Sequence, residues 1–217
     1  MMRKVIAEGL GAALLTACVV GSGIMAEKLA GGNAALALLA NTLATMAVLG
    51  TLIGTLGPIS GAHFNPVVSA IAWNRRQIDG STLTGYVIAQ LLGCCAGAML
   101  ANAMFELPLV QASTHARSGA ATWLSEMVAT LGLVLVAFRA GSINDAAWRV
   151  PLWIGAAYWF TASTSFANPA ITIGRSLSDT FAGIRPEDAP MFIGAQLAGA
   201  IAGLFLLRLF ADRKAAT

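Results

Sequence analysis

Ser60-Gly61-Ala62-His63-Phe64-Asn65-Pro66-Val67-Val68-Ser69 has a counterpart about a hundred residues on, Phe166-Ala167-Asn168-Pro169-Ala170-Ile171-Thr172. Each places Asn-Pro before a short apolar run, which is a helix start with a mechanism. The Asn side-chain oxygen accepts from the first free backbone N–H groups. Pro suits the first helical position, where its missing N–H costs nothing. The run behind each Pro is short. Pro66 to Asn74 and Pro169 to Asp179 read as helices of about 15 Å, half the roughly 30 Å hydrocarbon core of a bilayer. Two half-helices in one hydrophobic chain point to a central solute site.

The chain around them is a membrane chain. Of 217 residues, 57% are hydrophobic and 11% charged, with a mean hydropathy of +0.74. Soluble domains carry about 25% charged residues. Six full spans can be drawn: Val5 to Met25, Ala34 to Ile53, Leu83 to Met104, Ala121 to Ala140, Trp148 to Ser165, and Ala189 to Phe210. The first has a basic start like a signal peptide. Glu8 interrupts its apolar run and no small-residue cleavage site comes after it, so it reads as a membrane helix. The net charge of +3 is small and the basic residues are scattered, so nucleic-acid binding has no support. Cys18, Cys94 and Cys95 fall inside apolar runs without metal-ligand spacing and read as small packing residues. No metal and no cofactor is implied. Nor is an enzyme, since no nucleophile and base stand at plausible spacing near the two loops.

An internal repeat underlies the spans. Glu8 in the first span corresponds to Glu126 in the fourth. Gln90 in Ala89-Gln90-Leu91 of the third corresponds to Gln196 in Ala195-Gln196-Leu197 of the sixth. Each half reads as a span with Glu, a span, an Asn-Pro half-helix, and a span with Ala-Gln-Leu. Three spans per half is odd, so the halves enter the membrane in opposite senses. The expected organisation is one domain over 1–217, with repeat halves of approximately 1–110 and 120–217. With both termini cytoplasmic, Arg3, Lys4, Arg75, Arg76, Arg139, Arg149, Arg208, Arg213 and Lys214 lie inside. Lys28, Arg117, Arg175 and Arg185 lie outside, as the positive-inside rule asks. Gly93 with Gly97, Gly50 with Gly54 and Gly199 with Gly203 are spaced for close helix approach. Ordinary glycine abundance in membrane helices explains any single pair equally well.

These residues carry a resemblance. Ser60-Gly61-Ala62-His63-Phe64-Asn65-Pro66 resembles the first signature loop of the aquaporin and glycerol-channel family, and Asn168-Pro169-Ala170 resembles the second. The paired glutamates and Ala-Gln positions match as well. The resemblance implies an all-α membrane protein of six tilted spans, with two re-entrant half-helices meeting at mid-membrane in an inverted repeat. It also implies a homotetramer in the lipid bilayer, with one pore per subunit for small neutral solutes such as water and glycerol. Asn168 to Gly183 is similar to a bacterial branch associated with arsenic resistance. That would add neutral or methylated arsenicals as cargo and a bacterial-type inner membrane as location.

The resemblance can be carried onto this chain residue by residue. Asn65 and Asn168, with Pro66, Val67, Pro169 and Ala170, would form the pore midplane. Each Asn caps its own half-helix and leaves its amide hydrogens for the lumen, unless it is a cap alone. The two half-helix N-termini, each worth roughly +0.5 charge, would oppose cations there. Val67 stands where Ala is usual and adds bulk at the meeting point. Glu8 and Glu126 would each accept from the irregular backbone of a re-entrant loop, since lipid offers no partner. The rival reading is a proton-coupling acid. His63 would be a loop-holding residue at the inner vestibule, with a pH gate as the alternative.

One position departs from the family. The second signature usually continues Asn-Pro-Ala-Arg, and here Ile171 comes after Ala170. Counting by the family's spacing makes Thr45, Ala156 and Ser165 its companions at the outer constriction. That set has no large aromatic and no charge, which predicts a wide filter. Arg175, one helical turn beyond Ile171, would supply a displaced charge at the outer vestibule with Asp179 holding it, or else be an ordinary surface arginine. Two other functions stay open: a secondary transporter coupled to an ion gradient, and a membrane-scaffold protein with a closed pore.

Overall fold

The computed structural model describes residues 1–211, so Arg213 and Lys214 lie outside the described residues. Its described helices are α1 (Met2–Leu29), α2 (Ala34–Ser60), α3 (Pro66–Asn74), α4 (Gly80–Met104), α5 (Ala120–Arg139), α6 (Ile143–Phe160), α7 (Pro169–Arg175) and α8 (Ala189–Leu209). Among the described residues there is no strand. Helices α1, α2, α4, α5 and α8 are long and apolar enough to cross a membrane. The chain is therefore a multi-pass membrane protein. Helix α6 is the exception. It starts five residues earlier than Trp148 and stops at Phe160, so at 18 residues it is the shortest of the long helices. Asp145 and Arg149 pair on its first turns at 3.7 Å, which lowers its apolar character relative to the others.

Local chemistry sets the helix starts. Asn33 accepts from Leu36 N at 3.1 Å, Asp79 from Thr82 N at 2.6 Å, and Ser142 from Asp145 N at 3.1 Å. The half-helix α3 has the bounds expected for it, whereas α7 ends at Arg175 and not Asp179. Beyond Arg175, turn-forming residues Ser176, Ser178, Asp179 and Gly183 lead the chain on toward α8.

The order of elements is the same in both halves: long helix, long helix, half-helix, long helix. The packing repeats too. Helix α1 lies against α4 and α2, as α5 lies against α8 and α6, and α2 with α6 joins the halves. Half-helix α7 packs mainly on α4, a helix of the other half, and α3 touches α8 in return. Small residues make the tight seams possible. A Cβ on Gly93 would stand 2.3 Å from the Gly9 carbonyl oxygen, one on Gly97 2.2 Å from that of Ala13, and one on Gly199 2.3 Å from that of Met127. At these points backbone meets backbone, which only glycine allows. Gly54 is different: nothing lies within 4 Å of its added Cβ, so the Gly50–Gly54 spacing is not a two-point contact. The outer surface is apolar all round, with Leu43, Leu92, Leu124, Ile201 and Phe205 each more than half exposed, as lipid requires.

Candidate functional site

The loops before the two half-helices are built alike. Ala62 and Phe64 have φ of 52° and 50°; Ser165 and Ala167, at the same offsets from their asparagine, have 50° and 47°. Left-handed backbone at a residue with a Cβ costs about 1–3 kcal/mol and persists only when its surroundings hold it. Two buried carboxylates do the holding. Glu8 Oε1 accepts from the His63 N–H at 2.9 Å and the Ser60 hydroxyl at 2.7 Å, and Oε2 from the Phe64 N–H at 2.6 Å. Glu126 accepts from Phe166 N at 2.8 Å and Ala167 N at 2.9 Å. Both glutamates are fully buried.

A glutamine ties each carboxylate to its half-helix. Gln90 Nε2 donates to Glu8 at 2.8 Å and to Ser69 Oγ at 2.9 Å. Gln196 Nε2 donates to Glu126 at 2.6 Å and to Thr172 Oγ1 at 2.9 Å. Ser69 and Thr172 were not singled out from the sequence. A signal was there: both are hydroxyl residues four positions after the capping asparagine. Ser69 Oγ also meets His63 Nδ1 at 3.1 Å, and Tyr86 Oη donates to the Ser60 carbonyl at 2.7 Å.

At the centre the asparagines bridge the halves. Asn65 Oδ1 accepts from Val67 N at 3.0 Å, and Asn168 Oδ1 from Ala170 N at 3.0 Å. Asn65 Nδ2 then donates to the Ala167 carbonyl and Asn168 Nδ2 to the Phe64 carbonyl, each at 2.8 Å. This corrects the expectation that both amide hydrogens are left for the lumen. One hydrogen of each amide fastens the opposite loop, and one remains.

A cavity of about 390 Å³ runs past both asparagines. His63, Gln77 and Ser142 stand on its wall, as do Thr45, Tyr158, Ser165, Ile171 and Arg175, with apolar side chains such as Leu15, Leu49 and Leu133 between. Pro66, Val67, Pro169 and Ala170 are not on that wall. Val67 is buried against Ile71, Val134, Ala200 and Leu207, so its bulk is taken up behind the half-helix and not in the lumen. Ala156 is also off the wall. It is exposed on the lateral face, in a groove with Leu152, Trp148 and Trp153. The α6 residues that face the cavity are Ile143, Ala146, Val150, Ile154 and Tyr158, about one per turn. Tyr158, and not Ala156, is therefore the residue of this helix on the cavity wall near Thr45, its hydroxyl 3.5 Å from Thr45 Oγ1. The cavity wall beside Thr45 thus carries a large aromatic, against the expected set without one.

Arg175 is not a surface arginine. It is 3% exposed, lines the cavity, and lies on the Phe166 ring with its guanidinium carbon 3.3 Å from the ring centre. Its Nε donates to the Ala182 carbonyl. Asp179 does not hold it. That carboxylate accepts instead from Thr114, from the backbone N at 2.7 Å and the hydroxyl at 3.0 Å. These bonds hold the Asp179 carboxyl below its ordinary range and tie the 105–119 connection to the segment after α7.

The sequence model of the family described as major intrinsic protein matches residues 1–162. The chain is 50% identical over 210 residues to aquaglyceroporin AqpS of Rhizobium meliloti, covering 96% of this chain and 90% of that protein. It is 27% identical over 184 residues to a probable aquaporin, AqpM, of Archaeoglobus fulgidus, covering 75% and 72%. Among solved structures, the aquaglyceroporin from Plasmodium falciparum aligns with a TM-score of 0.71 at 22% identity, covering 96% of this chain and 95% of that one. At that identity the likeness carries the fold alone.

Proposed function

The chain belongs to the major intrinsic protein family, and from that premise we propose that it is a passive transmembrane channel for small uncharged solutes, water and glycerol among them. The observation that carries this reading is the cavity that passes between two capped half-helices, with one amide hydrogen of Asn65 and of Asn168 unused on its wall. A solute oxygen there can accept from either asparagine. The wall around them is mostly apolar, so an ion would shed its water with little in return. The half-helix ends add a positive field against cations and protons. The relative named an aquaglyceroporin supports glycerol as well as water.

The outer constriction is assigned to Thr45, Tyr158, Ser165 and Ile171, with Arg175 behind them. Ile171 in place of a charged donor supports a filter that admits glycerol-sized molecules, and uncharged or methylated arsenic acids fall within the same size and charge class. Glu8 and Glu126 are assigned to loop support. All four oxygens of the two carboxylates are occupied by donors, which disfavours proton coupling and with it the transporter reading. A homotetramer in a bacterial inner membrane, with cytoplasmic termini, completes the proposal.

The test is osmotic shrinking and re-swelling of liposomes holding the purified protein. Glycerol should cross well above the rate of protein-free vesicles, in linear proportion to its gradient and without an ion gradient. Ile171→Arg should cut glycerol flux more than water flux. Saturating, gradient-driven uptake would replace the channel by a transporter, and absence of any flux would leave a scaffold with a closed pore.

A further inference from the structure

The outer end of the cavity holds more positive charge than neutral solutes need. Arg175 is buried there, and among the described residues its two terminal nitrogens find no acceptor. A second guanidinium, that of Arg117, faces the same Phe166 ring at 5.1 Å. Arg117 is held by neutral acceptors: Nε donates to Gly183 O at 2.7 Å, and its terminal nitrogens donate to Phe181 O at 3.3 Å, Ser163 O at 3.4 Å and the Thr164 hydroxyl oxygen at 3.5 Å. The ion pairs among the described residues are Arg149 with Asp145 and Arg185 with Asp188. Neither the buried Arg175 nor the partly buried Arg117 therefore has a carboxylate at ion-pair distance among the described residues.

A hydroxyl adds to this. Ser165 Oγ is on the cavity wall, 2% exposed and without a hydrogen-bond partner. Buried polar groups in folded proteins are paired, so an unpaired hydroxyl on the same cavity wall as a guanidinium whose terminal nitrogens have no protein acceptor suits a ligand with acceptors. A guanidinium donates only, and its planar fork matches two oxygens in one plane.

We propose that the outer end of this cavity is a binding subsite for a small planar oxyanion of the carboxylate or nitrate class, seated on the terminal nitrogens of Arg175 with Ser165 Oγ as a further donor. The inference rests on the channel reading and goes beyond it: the bound anion obstructs the passage of neutral solutes. It does not cross, because past the subsite the wall is largely apolar and gives an ion too little in exchange for its water. External oxyanions thus lower the flux of the uncharged cargo.

The probe is nitrate, which stays ionised at every working pH. Glycerol flux into liposomes is measured with sodium nitrate on both sides and compared with equal sodium chloride, each variant being normalised to its own chloride value. Nitrate should halve the flux at a concentration in the millimolar range. Arg175→Lys, which keeps the charge and loses the fork, should weaken the inhibition about tenfold. Ser165→Ala should weaken it less, and Arg175→Gln should abolish it. In detergent, nitrate should raise the unfolding temperature of the unaltered protein above that in chloride, and not that of Arg175→Lys.

If glycerol crosses and nitrate acts no differently from chloride on both flux and unfolding, the subsite is refuted while the channel stands. If glycerol does not cross, the channel reading fails and the unfolding comparison still decides the anion site. Nitrate entering vesicles prepared in chloride alone, faster than it enters protein-free vesicles, would overturn the claim that the anion blocks. Should Arg175→Gln not fold, Arg175→Lys and Ser165→Ala decide the matter.

Discussion

Removing the carboxylate at Glu126 tests what holds the second loop. In the native protein Glu126 accepts from the backbone N–H groups of Phe166 and Ala167 and from Gln196. Gln196 keeps a second acceptor in Thr172, so its loss is partial. The backbone groups have no alternative, since both residues are buried and away from water. Stranding one buried donor costs about 1–3 kcal/mol, so Glu126→Ala should destabilise by about 2–6 kcal/mol. Glu126→Gln keeps one acceptor oxygen and should lose about half of that. Glu8→Ala strands Phe64 N and the partly buried His63 N and also takes the acceptor from the Ser60 hydroxyl, so it should destabilise comparably, while Gln90 keeps Ser69. The assay is unfolding in mixed micelles titrated with a denaturing detergent, monitored by helical circular dichroism. The order expected is unaltered, then Glu126→Gln, then Glu126→Ala. A Glu126→Ala protein that unfolds at the unaltered midpoint would refute the loop-support argument. A Glu126→Gln protein of full stability that loses only a proton-dependent flux would revive the coupling reading.

Gly97→Ala puts a Cβ 2.2 Å from the Ala13 carbonyl and should destabilise by about 1–3 kcal/mol. The same change at Gly54, where nothing is within reach, should be neutral or stabilising by up to about 1 kcal/mol, and the same unfolding assay reads both. Tyr158→Ala removes the aromatic member of the outer ring and should raise glycerol permeability relative to water in vesicle swelling. Asp179 carries the pH prediction. Its folded pKa is depressed, first by the Thr114 backbone N–H and then by the Thr114 hydroxyl. Its contribution is thus present above the unfolded value of about 3.9 and fades as pH falls through the folded one. The protection of the Thr114 amide against exchange, relative to its intrinsic rate at each pH, should fall on that descent and be lost at neutral pH in Asp179→Ala.

Cap chemistry is local, which is why Asn65 and Asn168 could be read as half-helix starts from the chain alone. The repeat was legible for the same kind of reason: Glu8 with Glu126 and Gln90 with Gln196 are polar residues in apolar runs, where few residue types are tolerated. The outer ring was not legible. Counting from Asn168 back to α6 crosses the helix end at Phe160 and the left-handed turn at Thr164 and Ser165. A slip of two residues turns a helix by about 200° and moves a side chain from one face to the other. Ala156 and Tyr158 changed places through that slip. Arg175 was ambiguous because its environment comes from residues distant in sequence, Phe166 and Ala182, and the bend after α7 cannot be read from spacing. Asp179 stands four residues on in the sequence, but α7 stops before reaching it.

The seams at Gly93, Gly97 and Gly199 have a mechanical consequence. Where side chains separate two helices, rotamers can change and one rod can creep along the other. Here carbonyl oxygens rest against the neighbouring rod with no side chain between them, and a slide of even an ångström would drive one backbone into the other. Helices α1 and α4, and likewise α5 and α8, behave as welded struts. On the channel reading, a bore flanked by such seams should keep its gauge, so the barrier to passage is expected to lie in the traveller shedding its water and not in the frame. Warming should speed transit only as much as that dehydration demands, far less than the opening of a hinged gate would.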